Sequence, residues 1–279
     1  MLNLREIFKP RTIEQAAQLL QQPDTVALAG GTMLLAEPRG DVRAVVDLSA
    51  LGLAYIREEK GSVALGATTT LAELADSPLL RALANGIVAQ AAHRSAAGIL
   101  RNQGTLAGTC ISEPDGILAV ALVALDAKVV TVSPAGASSL PLQQAGGGGF
   151  LSGRQELLRR GALVKELQIP LSNPKASLQT VARTPRDKPI VSVIAAVQVE
   201  NGTAREVHVA LGGVSETATR ALVAERELEG KQLTAESIER AARAASTGLA
   251  PRGDYRGSVE YRKEMAVVLA RRALLELLA

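Results

Sequence analysis

The sequence predicts an α+β protein: a small α/β unit, a second sheet interleaved with helices, and, after a short linker, a C-terminal domain of strands followed by helices. Three observations predict it. Short apolar runs alternate with helical spacing over residues 12–170. Beyond residue 175, three strand-like runs precede three helical ones. The last two of those strands meet at Asn201-Gly202, a dipeptide suited to the left-handed φ values of a two-residue hairpin.

In chain order, Thr12 can cap a helix carrying Ile13, Ala16, Ala17, Leu19 and Leu20, which Pro23 and Asp24 end. A strand over 26–29 runs into Gly30-Gly31, and a turn over 38–41 leads to a strand over 44–48. Residues 53–57 and 62–65 read as a hairpin around Lys60-Gly61. Thr70 caps a short helix to Ala75, and Ser77-Pro78 opens a longer one to about Ala92. Residues 98–109 read as a loop of small residues, 117–125 as an apolar helix and 128–132 as a strand. Residues 133–149 carry no charge, with Pro134, Pro141 and the run Gly146 to Gly149, so a mobile surface loop is expected. A strand over 163–170 closes this half, and Leu-Ser-Asn-Pro at 171–174 reads as the linker. Strands over 177–183, 190–200 and 204–211 follow. Helices are expected over 216–229 with Ser215 as cap, over 234–247 ended by Gly248, and over 258–278.

Composition narrows the function. Aromatic residues are only 2% of the 279 residues, namely Phe8, Phe150, Tyr55, Tyr255 and Tyr261, with no Trp. Stacking surfaces for single-stranded nucleic acid need more aromatic faces than that. The net charge of +3 comes from interspersed signs, so no basic patch marks nucleic acid or anionic lipid as a partner. The lone Cys110 cannot form an internal disulfide or ligate an iron-sulfur cluster by itself. His93 and His208 lie far apart and read as surface or structural residues, so no metal site is assigned. The apolar runs 117–125 and 189–199 fall short of the ~20 residues that span a bilayer. Residues 1–10 lack the apolar stretch of a signal peptide, and a cytoplasmic protein is expected.

Two Gly/Thr loops carry the chemistry: Leu28-Ala29-Gly30-Gly31-Thr32-Met33-Leu34-Leu35, at a strand end, and 101–109, Arg-Asn-Gln-Gly-Thr-Leu-Ala-Gly-Thr. Glycine lets backbone approach a ligand, and successive N–H groups with Thr hydroxyls form a concavity for a pyrophosphate. Neither loop is a G-x-G-x-x-G fingerprint or a Walker loop, and there is no nucleophile elbow or H-E-x-x-H helix. Acidic pairs such as Glu58-Glu59 and Glu225 with Glu227 read as solvated faces. No catalytic acid or base is assigned, and cofactor chemistry is the better enzyme reading.

The ordered pair of loops resembles the flavin-binding medium subunit of the molybdenum hydroxylases, the family of xanthine dehydrogenase and aerobic carbon monoxide dehydrogenase. Further similar stretches are Val46-Asp-Leu-Ser, Leu65-Gly-Ala-Thr-Thr-Thr, Ala124-Leu-Asp-Ala, Leu211-Gly-Gly-Val, Leu228-Glu-Gly, and Asp254-Tyr-Arg-Gly-Ser-Val-Glu-Tyr-Arg. The resemblance implies a p-cresol methylhydroxylase-type FAD-binding fold over 1–170, with subdomains of about 1–52 and 53–170. It further implies a C-terminal domain over 175–279, with a three-stranded antiparallel sheet and a helix bundle. It implies FAD as cofactor, and as partners a large molybdopterin-binding subunit and a small 2Fe-2S subunit whose electrons reach an external acceptor through the flavin. Carried over by position, Leu28 to Leu35 wrap the pyrophosphate and ribityl chain, and Thr105, Gly108 and Thr109 form a second wall. Here the chain departs from the family's Thr-Ile-Gly-Gly-Asn: Ala107 adds a methyl and Thr109 replaces the amide. Ile117 stands where the family has an Asp, leaving Asp115 as a displaced substitute, and Ser95-Ala96 stand at an Ile-Gly pair.

Two other readings stay open on the sequence. One is a flavin-poor docking subunit of the same complex, with the glycines as packing turns and Arg183, Arg186 and Asp187 as ion pairs. The other is a free-standing FAD oxidoreductase. Substrate and acceptor (NAD, oxygen or a quinone) are not specified.

Overall fold

The structure, a computed structural model, describes residues 4–36, 40–144, 148–184 and 187–278. Its first layer is a parallel sheet of β1 (Glu6–Phe8), β2 (Thr25–Leu28) and β3 (Ala44–Asp47) in the order β1-β3-β2. Helix α1 (Ile13–Leu19) joins β1 to β2, and the Thr12 hydroxyl accepts from the Gln15 N–H as the expected cap. Ala16 and Leu20 pack on Val46, Leu48 and Leu163. Of the turn expected over 38–41, Pro38 and Arg39 lie outside the described residues.

The second layer is a five-stranded antiparallel sheet in the order β4-β5-β8-β6-β7. Its strands are β4 (Ile56–Glu59), β5 (Ser62–Gly66), β6 (Lys128–Ser133), β7 (Gly136–Pro141) and β8 (Leu163–Pro170). Helices α2 (Leu71–Asp76), α3 (Pro78–Ala82), α4 (Ile87–Ser95), α5 (Gly98–Arg101), α6 (Leu106–Ser112) and α7 (Ile117–Ala124) lie between β5 and β6, and α8 (Phe150–Arg159) between β7 and β8. All eight residues of α7 are buried. A helix apolar all round must be covered on every side. Here α4 and the C-terminal sheet cover it.

That third sheet has the order β12-β11-β10-β9, from β9 (Lys175–Val181), β10 (Val191–Glu200), β11 (Thr203–Gly212) and β12 (Thr219–Arg220). Strand side chains alternate between faces. Val191, Val193, Ala195 and Val197 of β10 therefore join the core with α9 (Leu222–Leu228), α10 (Ala235–Ala244) and α11 (Val259–Glu276), whereas Ile194 and Ala196 join the core of α7. The continuous apolar run of β10 follows from being covered on both faces. His208, on the α7 side, donates from Nδ1 to the carbonyl of Ala124, the last residue of α7, at 2.9 Å.

Several expectations are corrected. The helix expected over 77–92 breaks at Ala84, Asn85 and Gly86, all three at positive φ. Outside donors and acceptors hold this break: the Ala84 N–H donates to Asn173 Oδ1, and Asn85 Oδ1 accepts from the Ala176 N–H. The loop expected over 98–109 holds α5 and the start of α6. The stretch 133–149 contains β7, paired along β6, and Leu142 is fully buried; of its glycines, Gly146 and Gly147 lie outside the described residues. Helix α8 has no counterpart in the sequence reading.

The helix expected at 216 begins only at Leu222, because Thr219 and Arg220 pair with β11 as a fourth strand. Ser215 caps nothing and donates instead to the Thr217 carbonyl. Glu225 is buried rather than solvated: it takes two 2.8 Å bonds from Arg220 and accepts the Val209 N–H at 2.9 Å. Arg183 and Asp187 form an exposed ion pair at 3.2 Å, while Arg186 lies outside the described residues. Among the described residues no single helix is long and apolar enough to cross a membrane.

Candidate functional site

Beyond Leu28 the chain leaves the parallel sheet and coils tightly. Gly31 adopts φ +70, a value glycine takes without a Cβ penalty, and the Leu35 N–H donates back to the Gly31 carbonyl at 3.0 Å. Among the described residues, the N–H groups of Gly31, Thr32, Met33 and Leu34 have no acceptor. Four successive free donors at a left-handed turn are a nest for an anion.

The second loop is built differently. Thr105 caps α6 by accepting the Gly108 N–H at 3.3 Å. Leu106 donates its N–H to the Thr69 carbonyl at 2.8 Å and Ala107 to the Ala67 carbonyl at 3.0 Å. The first N–H groups of α6 are thus spent inside the protein. This wall contributes Thr105, Ala107, Gly108, Ile111 and Ser112 to the cavity lining.

Between the two loops lies a cavity of about 750 Å³, within the range of cofactor sites. Of the expected site residues, Leu28, Ala29, Gly30, Gly31, Thr32, Met33, Leu34, Thr105 and Gly108 line it. Leu35, Thr109 and Asp115 do not. Leu35 packs beside Gly31 with most of its surface exposed, and Asp115 faces Lys188 at 3.3 Å. The lining also includes Thr68, Ile111 and Ser112, and from α8 Arg154, Gln155, Leu158 and Arg159, none of which the sequence reading singled out. A weak signal existed for α8 in the spacing of Phe150, Leu151 and Leu158 after the glycine run. The charged side chains of the lining, among the described residues, are Arg154 and Arg159.

This arrangement fits a dinucleotide. Its diphosphate requires donors and positive charge, which the nest and the arginines supply, and its rings require apolar walls, which Leu20, Val26, Leu48 and Leu163 supply. Residues 3–172 match the family described as FAD binding domain in molybdopterin dehydrogenase, and residues 176–277 match the CO dehydrogenase flavoprotein C-terminal domain. The chain belongs to this family.

Similar members include the glyceraldehyde dehydrogenase medium chain of Sulfolobus acidocaldarius, 26% identical with 96% of each chain covered. The carbon monoxide dehydrogenase medium chain of Hydrogenophaga pseudoflava is 29% identical, with 96% of this chain and 95% of that one covered. A solved structure of carbon monoxide dehydrogenase from the same organism superposes with a TM-score of 0.87 at 28% identity, over 97% of this chain and 96% of that one. As a member of the molybdopterin dehydrogenase flavoprotein family, the chain is an oxidoreductase subunit and its cofactor is FAD.

The aromatic shortage has a structural counterpart, since no aromatic side chain lines the cavity among the described residues. Phe150 is sealed in the core. Tyr55 donates to the buried Glu166 carboxylate, whose other oxygen accepts from Gln168 at 2.7 Å. Burial, then that hydrogen bond, pushes the Tyr55 phenol well above its usual range. Tyr255 is exposed beneath the Arg183 guanidinium, 5.4 Å from the ring centre.

The block beginning at Asp254 acts as an anchor. Arg262 at its end is 3% exposed and donates to the carbonyls of Ile190 and Gly213, each at 2.7 Å, and to Asp254 at 2.7 Å. It thereby ties α11 to the start of β10 and the end of β11.

Proposed function

We propose that this chain is the electron-transfer subunit of a molybdenum hydroxylase complex, passing electrons from iron-sulfur clusters on a small 2Fe-2S subunit to an external acceptor. A large molybdopterin-binding subunit completes the complex. The observation that carries the reading is the fan of free N–H groups from Gly31 to Leu34 opening on a cavity whose charged lining is cationic. Bound FAD supplies a redox centre that exchanges electrons singly or in pairs. The chain's own part is to hold and orient it. The nest and the Thr105 hydroxyl bind the diphosphate and ribityl region, while the aliphatic walls keep water from the rings.

The reading divides the chain into an FAD-binding domain over 1–170 and a C-terminal domain over 175–279, supported by family matches that end at 172 and begin at 176. It places the complex in the cytoplasm, where a buried thiol such as Cys110 stays reduced. Two measurements test it: the visible spectrum of the purified protein, with and without added FAD, and the polypeptides that co-purify. Flavin absorption near roughly 450 nm, with a large and a small partner, is expected. Absence of both that band and calorimetric FAD binding, even in the assembled complex, overturns it.

A further inference from the structure

The cation best placed for the anionic ligand is on α8, a helix outside both Gly/Thr loops. Arg154 lines the cavity and is half-buried. Its Nε donates to the Ile111 carbonyl of α6 at 3.2 Å and its Nη1 to the Leu151 carbonyl of α8 at 2.6 Å. A guanidinium has five N–H donors in a rigid fork. Two are used, both toward backbone, and Nη2 keeps its pair.

No carboxylate pairs with Arg154 among the described residues. A partly desolvated charge without a counter-ion is unfavourable, and an anion entering the cavity would relieve that. Arg159, the other charged lining residue, is exposed and makes no hydrogen bond or ion pair among the described residues, so nothing fixes its direction. Meanwhile the α6 N–H groups that a second phosphate-binding wall would offer are spent on Thr69 and Ala67.

We infer that Arg154 is a cofactor-binding residue, the charged anchor of the FAD diphosphate opposite the Gly31–Leu34 nest, doing the work that the second loop's N–H groups do not. The inference rests on the FAD reading above. The probes are FAD, which carries the diphosphate, and riboflavin, which does not. Each is titrated by flavin fluorescence into the full chain stripped of cofactor, for wild type, Arg154→Gln, Arg154→Lys and Arg159→Gln.

Arg154→Gln is expected to weaken FAD roughly 10- to 100-fold, the size of one or two charge-assisted bonds, and to leave riboflavin unchanged. Arg154→Lys should show the same selectivity with a smaller loss, because the charge stays and the fork goes. Arg159→Gln should change FAD affinity by less than Arg154→Gln does. Should Arg154→Gln fail to fold, the Lys variant decides. Equal losses for FAD and riboflavin would assign Arg154 to clamping α8 on α6 and overturn the inference, as would unchanged FAD affinity. A wild-type chain that binds no FAD removes the FAD reading along with it, whereas wild-type binding with unaffected variants removes this inference alone.

Discussion

Gly30 lies so close to Gln103 that a β-carbon built on it would stand 1.7 Å from the Gln103 carbonyl oxygen. The two Gly/Thr loops, one ending a strand of the parallel sheet and the other leading into α6, are therefore in backbone contact at the cavity rim. Gly30→Ala must push them apart. The expected result is a lower melting temperature, equivalent to about 1–3 kcal/mol of overpacking, together with loss of flavin during purification, read from the ratio of flavin to protein absorbance. Full flavin content and unchanged melting would show slack between the loops.

Gly31 should behave differently. Its φ is +70, but a β-carbon there meets the end of the Leu35 side chain at 3.1 Å, and Leu35 is exposed and can turn aside. Gly31→Val then costs about 1–2 kcal/mol of left-handed strain and leaves the fold intact. Because relief of that strain rotates the peptide planes of the nest, flavin retention should be abolished. Circular dichroism melting and flavin content, measured together, separate the two glycines; a Gly31→Val protein with normal flavin would remove the nest from the site.

Where the sequence could be read, the signal was local. Thr12, Thr70 and Thr234 announce helices through side chains that accept the third N–H onward, and Asn201-Gly202 forms the hairpin that a two-residue turn demands. The first loop was legible for the same reason: its glycines and its position after a strand suffice. Elsewhere local structure is set by partners far along the chain. Asn173 holds Ala84 in a left-handed conformation, β11 captures Thr219 and Arg220 before a helix can start, and pairing with β6 makes β7 from a run that has no apolar pattern. The second loop resembled an anion site because its composition cannot reveal that Thr69 and Ala67 already take its N–H groups. Arg154 carries no signal in the sequence, because the short apolar spacing of α8 follows directly on a glycine run.

The Asp254–Arg262 pair predicts a defined acid sensitivity. Burial alone would raise the Asp254 carboxyl, but hydrogen bonds from the side chains of Arg256 and Arg262 outweigh it and hold the group well below the usual carboxylate range. A carboxylate depressed in the folded state adds stability that is complete above its unfolded value, about 3.9, and is lost as pH falls toward the folded value. Stability of the wild type should therefore decline below about pH 4 more steeply than that of Asp254→Asn, measured by urea unfolding at stepped pH. Above about pH 5 the variant should be uniformly less stable. Parallel curves would show that the pair contributes nothing to the acid limb.

Arg262→Met tests the same anchor from the buried side. It leaves the Ile190 and Gly213 carbonyls without their donor and Asp254 with Arg256 as its remaining cation. Each carbonyl left without its donor costs about 1–3 kcal/mol, so the C-terminal sheet and α11 should exchange their amides faster while β4–β8 remain protected. Uniform protection across the chain would mean that Arg262 is dispensable to the packing of α11.

Cys110 offers a reporter of the cavity wall. It sits on α6, 2% exposed, and burial pushes its thiol up to about 12. The thiolate is the reactive form, so a disulfide reagent at neutral pH should label the native chain only through opening of α6, and label it at once in denaturant. The same helix contributes Ala107, Gly108, Ile111 and Ser112 to the cavity. A ligand that binds only the closed form stabilises it by mass action. Labelling should accordingly slow as FAD is added, by about tenfold for each 1.4 kcal/mol of binding linkage. If native Cys110 reacts at the denatured rate, α6 does not close the wall; if it reacts slowly but FAD leaves the rate unchanged, FAD does not bind against α6, and the cavity would have to be filled from the first loop alone.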